Sequence, residues 1–352
     1  MNILRAYKFR LYPTSEQAAF IQKSFSAVRL VYNLLLQERI RNYKQLKEDP
    51  GATIKIPTPA KYKERYPFLR EVDSLALANA QVYLDRAFKN FYRGRAVGFP
   101  KLKRKNTVHS YTTNNQHGTV KVIDGRYLKV PKLKTPIKIA VHRPLQGEIK
   151  SVTISVSSSG KYFVAILCEE NVTAKLKTEK VTGIYPSHQA FAELASGELL
   201  DSHHSHRWQQ RLTVEEAKLR RRKQLANKKG RDLAYCKNYQ KQKKKVATIR
   251  EKLLNQRLDF LNKVTTSLIT DYDIICIDDL EQNKLEAKSA CKQQLLDFSW
   301  PLFIAKLEYK ALWYGKKVIR LSACESTLAT QFRHLDKAGI QQFLTQQAAD
   351  AE

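Results

Sequence analysis

The sequence predicts an α+β protein of several domains: an antiparallel β-barrel or sandwich interrupted by a helical insertion, followed by a separate α/β domain. Three observations predict it. Tyr7, Phe9 and Leu11 alternate with Lys8 and Arg10, the period-2 pattern of a half-buried strand, yet no second strand pattern lies close enough in sequence to pair with it. Between residues 119 and 168 the chain breaks into short β-branched runs divided by turn signals. From Val181 onward, short strand patterns alternate with long helical ones.

Pro13 ends the first strand, and Thr14 with Gln17 forms a capping box ahead of Ile21, Phe25, Val28, Tyr32 and Leu35, which recur at helical spacing. A proline-bearing stretch between Pro57 and Pro67 leads to a second helix that begins near Asp73 and aligns Leu77, Leu84, Phe88 and Phe91. The runs TVKVIDGRYLKV, IKIAV, IKSVTISVS and KYFVAILC then read as strands, with Asp124-Gly125 and Ser159-Gly160 as hairpin turns. The economical topology adds the orphan first strand to this sheet and makes the helices an insertion. Short strands follow at 181–185, 190–194 and 199–202, then two long basic helices within 207–269. The strand YDIICIDDL, a helix through 302–314 and the strand KKVIRL complete the pattern, which contains no internal repeat.

A chain of 352 residues allows two or three domains, and its 63 Lys+Arg against 33 Asp+Glu leave a formal charge of +30. Self-repulsion of that size points to a polyanionic partner, and nucleic acid is the first candidate. A hydrophobic content of 43% places the charge on folded surface rather than on a disordered tail. Cys168, Cys236, Cys276, Cys291 and Cys324 are odd in number and form no C-x-x-C pair, which speaks against a disulfide framework or a zinc site and for a reducing compartment. No apolar run approaches about 18 residues and no signal-peptide core opens the chain, so neither secretion nor a membrane span is expected. His203, His204 and His206 have no cysteine at ligand spacing and read as phosphate contacts rather than a metal site.

Residues 207–257 carry 18 Lys/Arg and four acidic residues, a net of +14. Two clusters lie there on predicted helix: Arg220, Arg221, Arg222 and Lys223, then Lys241, Lys243, Lys244 and Lys245. A third, Lys101, Lys103, Arg104 and Lys105, lies upstream. Three such clusters suit a surface that follows a phosphate backbone better than a merely solvated one. Tyr235 and Tyr239 stand among them at i, i+4, a spacing that serves base stacking or core packing.

The segments YKFRLYPTSEQ, FSAVRLVYNLLL, LALANAQVYLDRAFKNFYR, GFPKLKRK, QRLDFLNKVTTSLITDYDII and FIAKLEYKALWYGKKVI, in this order over residues 3–322, closely resemble TnpB, the transposon-encoded RNA-guided DNA nuclease family ancestral to the type V CRISPR effectors. The resemblance implies an oligonucleotide-binding-like wedge barrel from residues 1–12 and 98–178, with a helical recognition lobe, 13–97, inserted. It further implies an RNase H-like RuvC domain at 179–325 that contains the basic helical segment 205–269, and a tail at 326–352. The family's nuclease holds two Mg²⁺ ions on an Asp of the first RuvC strand, a Glu after the fourth, and a last Asp behind a four-cysteine zinc ribbon. Two divalent ions about 4 Å apart repel by roughly 17 kcal/mol even at an effective dielectric of about 20, so several carboxylates must share them.

Here the first strand reads GIYPSHQAFA: Tyr185 takes the place of the Asp and Pro186 and Ser187 follow. Asp278 matches the Glu, with Asp279 behind it; no ribbon follows Cys324, and Asp336 alone would align with the last Asp before the sequence ends at Glu352. A phenol, ordinarily neutral below about pH 10, is a poor substitute for a bridging carboxylate. Tyr185 and Asp278 are therefore expected to be vestigial, with no catalytic metal and no enzyme activity. The chain resembles in particular the nuclease-dead repressor subgroup, TldR. That likeness implies a guide RNA, a single protein copy in the complex, and a double-stranded DNA target at a promoter, with flagellin and transporter genes as the associated targets. It also implies steric repression of transcription in the bacterial cytoplasm, at the nucleoid, away from any membrane.

The family reads a short transposon-adjacent motif with residues that correspond to Ser74, Asn79, Thr113 and Asn114, beside Ala78. Asn can pair with adenine and Thr can touch the thymine methyl. The family has a basic and an amide residue where this chain has Ser74 and Ala78. Three other functions compete: an accessory protein that binds the transposon's own RNA or ends, a weak nuclease that uses Asp278, Asp279 and Asp336, and an ordinary basic transcription factor. The last is disfavoured because no compact helix-turn-helix accounts for the remaining 300 or so residues.

Overall fold

Strand β1 (Asn2–Tyr12) buries Ile3, Tyr7, Phe9 and Leu11 on one face and turns Leu4, Ala6, Lys8 and Tyr12 outward, the alternation its sequence predicts. The computed structural model describes residues 1–49, 51, 57–94, 98–105, 109–187, 190–201, 206–278, 300–321 and 342. They divide into two units: Asn2–Asn171, and Val172–Glu352 together with Met1.

In the first unit, β1 lies inside a seven-stranded antiparallel sheet. The other strands are β2 (His109–Asn114), β3 (Lys121–Ile123), β4 (Tyr127–Lys129), β5 (Ile137–Ala140), β6 (Glu148–Val156) and β7 (Tyr162–Asn171). The order is β2-β6-β7-β1-β5-β4-β3, and β1 pairs antiparallel with both β7 and β5. The expected barrel or sandwich is thus one curled sheet with β2 and β3 at its ends among the described residues. Asp124 and Gly125 both have positive φ (49° and 61°), as a two-residue hairpin turn requires. Gly147 is needed for another reason: a Cβ there would lie 1.9 Å from the carbonyl oxygen of Glu169.

Helix α1 (Ser15–Glu48) starts at the capping box. Thr14 Oγ1 accepts from the Gln17 amide at 3.3 Å, and Gln17 Oε1 from the Thr14 amide at 3.0 Å. After the short turn α2 (Tyr62–Arg65), α3 (Ser74–Arg93) is capped by Asp73. Ile21, Phe25, Val28, Tyr32 and Leu35 of α1, Leu77, Leu84 and Phe88 of α3, and Phe9, Leu11, Ile154 and Ile166 of the sheet fill one continuous core. The helical segment therefore does not enclose a core of its own; Phe91, expected on the buried face, is half-exposed.

The second unit has a five-stranded sheet of order β10-β9-β8-β11-β12, made of β8 (Val181–Tyr185), β9 (Ala192–Leu194), β10 (Leu199–Leu200), β11 (Ile274–Asp278) and β12 (Lys317–Leu321). β11 runs parallel to β8 and β12, whereas β9 is antiparallel to β8 and β10. The unbroken apolar run Ile274–Ile277 fits a central parallel strand covered on both faces. Helices α4 (His206–Lys228), α5 (Lys237–Asp271) and α6 (Trp300–Tyr314) complete the unit, where Leu261, Leu268, Phe303 and Leu307 pack with Ile184, Ile275 and Ile277.

Asp273, just before β11, fastens this sheet to the chain that enters it. Its Oδ2 accepts from the Thr178 and Glu179 amides at 2.8 and 2.6 Å, and its Oδ1 from the Lys316 ammonium, whose side chain is 1% exposed. Burial raises the Asp273 pKa, but Lys316 and the two amides outweigh it and hold the carboxyl below its ordinary 3.8. Asp273→Ala removes the carboxylate partner of a buried ammonium and is expected to destabilise this unit by about 3–5 kcal/mol. Hydrogen exchange of the β11 and β12 amides reads the loss. Because the folded pKa is depressed, the wild-type contribution is complete above the unfolded value and disappears as the pH falls through the folded one; the difference between wild type and variant should narrow below pH 3.8.

Candidate nucleic-acid interface

Helices α4 and α5 form an antiparallel hairpin, as their cross-links show. Arg222 Nη1 donates to the Asn238 carbonyl at 2.6 Å, Gln242 Nε2 to Glu215 Oε2 at 2.7 Å, and Arg250 Nη2 to Glu216 Oε1 at 2.7 Å. The Lys252 ammonium lies 3.7 Å from the Trp208 ring centroid, with the Arg211 guanidinium 5.1 Å away. Gly230, at φ 59°, turns the chain between the helices, and Asp232 Oδ1 accepts from the Ala234 amide at 2.9 Å.

Glu215 holds this basic pair together from inside. It is 4% exposed and takes hydrogen bonds from Gln242, from Lys245 at 2.9 Å and from Lys218 at 3.2 Å. The Gln242 and Lys245 bonds bring its carboxyl down to about 2 despite burial, with Lys218 adding to the effect. Around it Arg220, Arg221, Lys223, Lys241, Lys243 and Lys244 are exposed. Two of the eight predicted contacts are engaged internally: Arg222 is half-buried on Asn238, and Lys245 is exposed but paired with Glu215. Tyr235 is 85% exposed beside the turn, whereas Tyr239 is half-buried, so the two tyrosines do not form a joint platform.

In the first unit, Asn33 of α1 holds the third cluster. Its Oδ1 accepts from the Lys103 amide at 2.8 Å and its Nδ2 donates to the Lys103 carbonyl at 3.0 Å, so one side chain satisfies both backbone groups. The Lys103 ammonium is drawn over the Tyr32 ring at 4.0 Å, while Lys101, Arg104 and Lys105 are exposed.

The predicted motif-reading residues converge where the N-terminus of α3 meets β2. Thr113 is fully buried and donates its hydroxyl to Asp73 Oδ2. Asn79 is 9% exposed, and its amide donates to the Leu75 and Thr112 carbonyls, each at 3.0 Å, and to Asn114 Oδ1 at 3.4 Å. Those two side chains fasten the helix to the sheet; Ser74, Ala78 and Asn114 form the exposed part of the cluster. Asp73, legible in sequence only as a helix start, organises it.

Tyr185 ends β8. The parallel register pairs Ile184 with Ile277, so Tyr185 and Asp278 are the next residues on neighbouring strands. Tyr185 is 9% exposed, and its hydroxyl donates to the Leu194 carbonyl at 3.3 Å, which also accepts the Gly197 amide at 2.9 Å. This position offers a proton rather than an anionic oxygen and does not fit the metal-bridging carboxylate that the resemblance would require. Among the described residues no group of three His, Cys, Asp or Glu could hold a metal ion. Asp279, Asp336, His203 and His204 lie outside the described residues, as do the side chains of Asp278 and His206.

Fold and surface define the class: an α+β protein of two units that presents basic residues on a cross-linked helical hairpin and on a pinned strip. Residues 1–48 match a family described as a helix-turn-helix domain, and residues 165–288 one described as a probable transposase. The chain is 31% identical over 324 residues to a putative RNA-guided DNA endonuclease of Streptomyces pristinaespiralis, covering 90% of this chain and 77% of that one. It is 27% identical over 337 residues to the putative RNA-guided DNA endonuclease InsQ of Escherichia coli K12, covering 91% and 80%. A chain in the solved Cas12f1-sgRNA-target DNA complex is 11% identical, with a TM-score of 0.47 over 92% of this chain and 90% of that one. The protein belongs to the TnpB family, also called IS605 OrfB. Within residues 1–48 the chain forms strand β1 and the uninterrupted helix α1, not two helices about a turn.

Glu215→Ala would leave the buried Gln242 amide without its carboxylate acceptor and Lys218 and Lys245 facing each other unneutralised. The α4–α5 hairpin should lose about 2–4 kcal/mol, seen as faster limited proteolysis near the 229–236 turn. Glu215→Gln, which keeps an acceptor, should lose less.

Proposed function

We propose that this protein binds a guide RNA, uses it to occupy a matched double-stranded DNA target, does not cut that target, and represses transcription from it by steric block. The observation that carries the reading is Tyr185: a buried residue whose hydroxyl donates to a carbonyl, in register beside Asp278. The three basic clusters, each with exposed residues, and the relatives' descriptions as RNA-guided endonucleases support the binding half. In this reading the second unit corresponds to an RNase H-like RuvC domain, a suggestion favoured by its three parallel strands with an antiparallel pair on one side. The first unit corresponds to the wedge and recognition lobe together.

Each half has its own physical basis. Arg and Lys on the hairpin release counterions from RNA phosphates, which makes binding strong and salt-dependent. Pairing of guide and target exchanges one duplex for another of similar stability, so phosphate contacts tip a nearly balanced exchange and mismatches carry the cost. Without a cleavage step, binding specificity is the whole specificity. Ser74 and Asn114 are the exposed candidates for reading the adjacent motif, positioned by Asn79 and Thr113.

Protein purified from its host should carry one discrete structured RNA. Loaded with that RNA and a matched duplex, it should leave the DNA intact in Mg²⁺ or Mn²⁺. Random RNA fragments would reject guide binding, and guide-dependent cleavage abolished by Asp278→Ala would reject the loss of activity. In a reporter assay, repression should vanish when the guide-matched site is moved from the promoter to well upstream. Repression retained there would show that occupancy of the promoter is not the mechanism.

A further inference from the structure

The C-terminal end of α3 and the strip that follows it carry an aromatic cluster that the proposed function does not use. Phe88 is buried beneath it. Tyr92 lies 6.2 Å from Phe88 at an interplanar angle of 25°, and Phe99 meets Phe88 and Phe91 edge-on at 5.5 and 5.4 Å. Two of these rings reach water: Tyr92 is 74% exposed and Phe99 45%. Leu102, 50% exposed, lies three residues further along the same strip.

Exposed aromatic rings grouped on one surface are uncommon in a protein that has nothing to cover them. Here their neighbours in sequence are cationic. Lys89 and Arg93 lie on the same turns of α3, and Lys101, Arg104 and Lys105 continue from Phe99; all five are exposed. The strip is not slack, because the double hydrogen bond from Asn33 fixes Lys103 and so limits where its neighbours can go. Tyr92 lies against Phe88 and, tilted by 58° at 5.4 Å, Phe91, yet keeps 74% of its surface in water, enough for one more planar ring to stack on it. A planar apolar ring attached to an anionic chain is an unpaired nucleotide. A paired duplex has its base faces covered and offers this surface only its phosphates.

We infer that Tyr92 and Phe99 form a stacking platform for an unpaired nucleotide of the bound RNA, with the adjacent phosphates on Lys101, Arg104 and Lys105. The inference rests on the proposed RNA binding and adds to it a specific site. RNA is favoured over displaced DNA because a resident partner would keep the rings covered throughout the protein's life, whereas target DNA would cover them only while bound.

The test uses the full chain purified with its RNA. Ultraviolet cross-linking followed by mass spectrometry should place a ribonucleotide on the peptide that contains Tyr92 or Phe99. Tyr92 is exposed enough for Tyr92→Ala to fold, and stripped protein rebound to the same RNA should show a loss of affinity of about 5- to 100-fold for Tyr92→Ala. Tyr92→Phe, which keeps the ring, should stay within about twofold. Equal affinity for wild type and Tyr92→Ala would overturn the platform while leaving RNA binding intact. Cross-links to deoxyribonucleotides alone, in a complex supplied with target, would overturn the assignment to RNA. A wild-type protein that carries no RNA would remove both this inference and the function beneath it.

Discussion

Ten consecutive residues of β1, Asn2 to Leu11, pair with β7 from Asn171 back to Tyr162, and the end of β1 pairs also with β5. The first unit depends on this contact. β1 is an interior strand whose two neighbours are made more than a hundred residues later, so the sheet cannot close until nearly the whole unit exists. Ordering so long a loop is slow and costs chain entropy before the pairing compensates for it. The compensation is the buried face: Tyr7, Phe9 and Leu11 contact the core that α1 and α3 cover. A slip of one residue would turn Lys8 and Arg10 toward that core, so the alternation fixes the register. The helices therefore form the lid of the sheet that frames them rather than a separately folded lobe.

What could be read from the sequence follows from how local each interaction is. The Thr14–Gln17 box, the Asp73 cap, the Asp124-Gly125 turn and the apolar spacing of α1 are contained in windows of a few residues, and all appear as expected. The basic clusters were equally legible as charge. Their use was not. That Arg222 and Lys245 are turned to internal partners, that Asn33 satisfies the backbone of Lys103, and that Asp273 gathers Thr178, Glu179 and Lys316 are contacts between residues 16 to 95 positions apart. Asn79 and Thr113 show the same limit. As residue types they suit base recognition, and only the packing of α3 on β2 reveals that their donors are already committed.

The hairpin shows how a strongly basic surface can be held together from within. Segment 207–257 has four acidic residues, and two of them, Glu215 and Glu216, are placed between the helices. Placed there, they attract Lys218, Lys245 and Arg250, while Arg220, Arg221, Lys241, Lys243 and Lys244 remain exposed. Trp208 extends this economy, since its ring accommodates Lys252 and Arg211 with no acid at all. Cations that would otherwise drive α4 and α5 apart are held in place by two carboxylates and one aromatic ring.

The end of β8 has been fitted to a hydrogen-bond donor. The Leu194 carbonyl has two lone pairs, one used by the Gly197 amide within the turn after β9 and the other by the Tyr185 hydroxyl. An aspartate at 185 has no proton to give at neutral pH and is too short to reach that carbonyl, so the hydrogen bond that the phenol makes would be lost. It would also leave the volume of a ring to fill at a position that is 9% exposed. Tyr185 therefore contributes to the β8–β9 hairpin in a way the acidic side chain cannot reproduce.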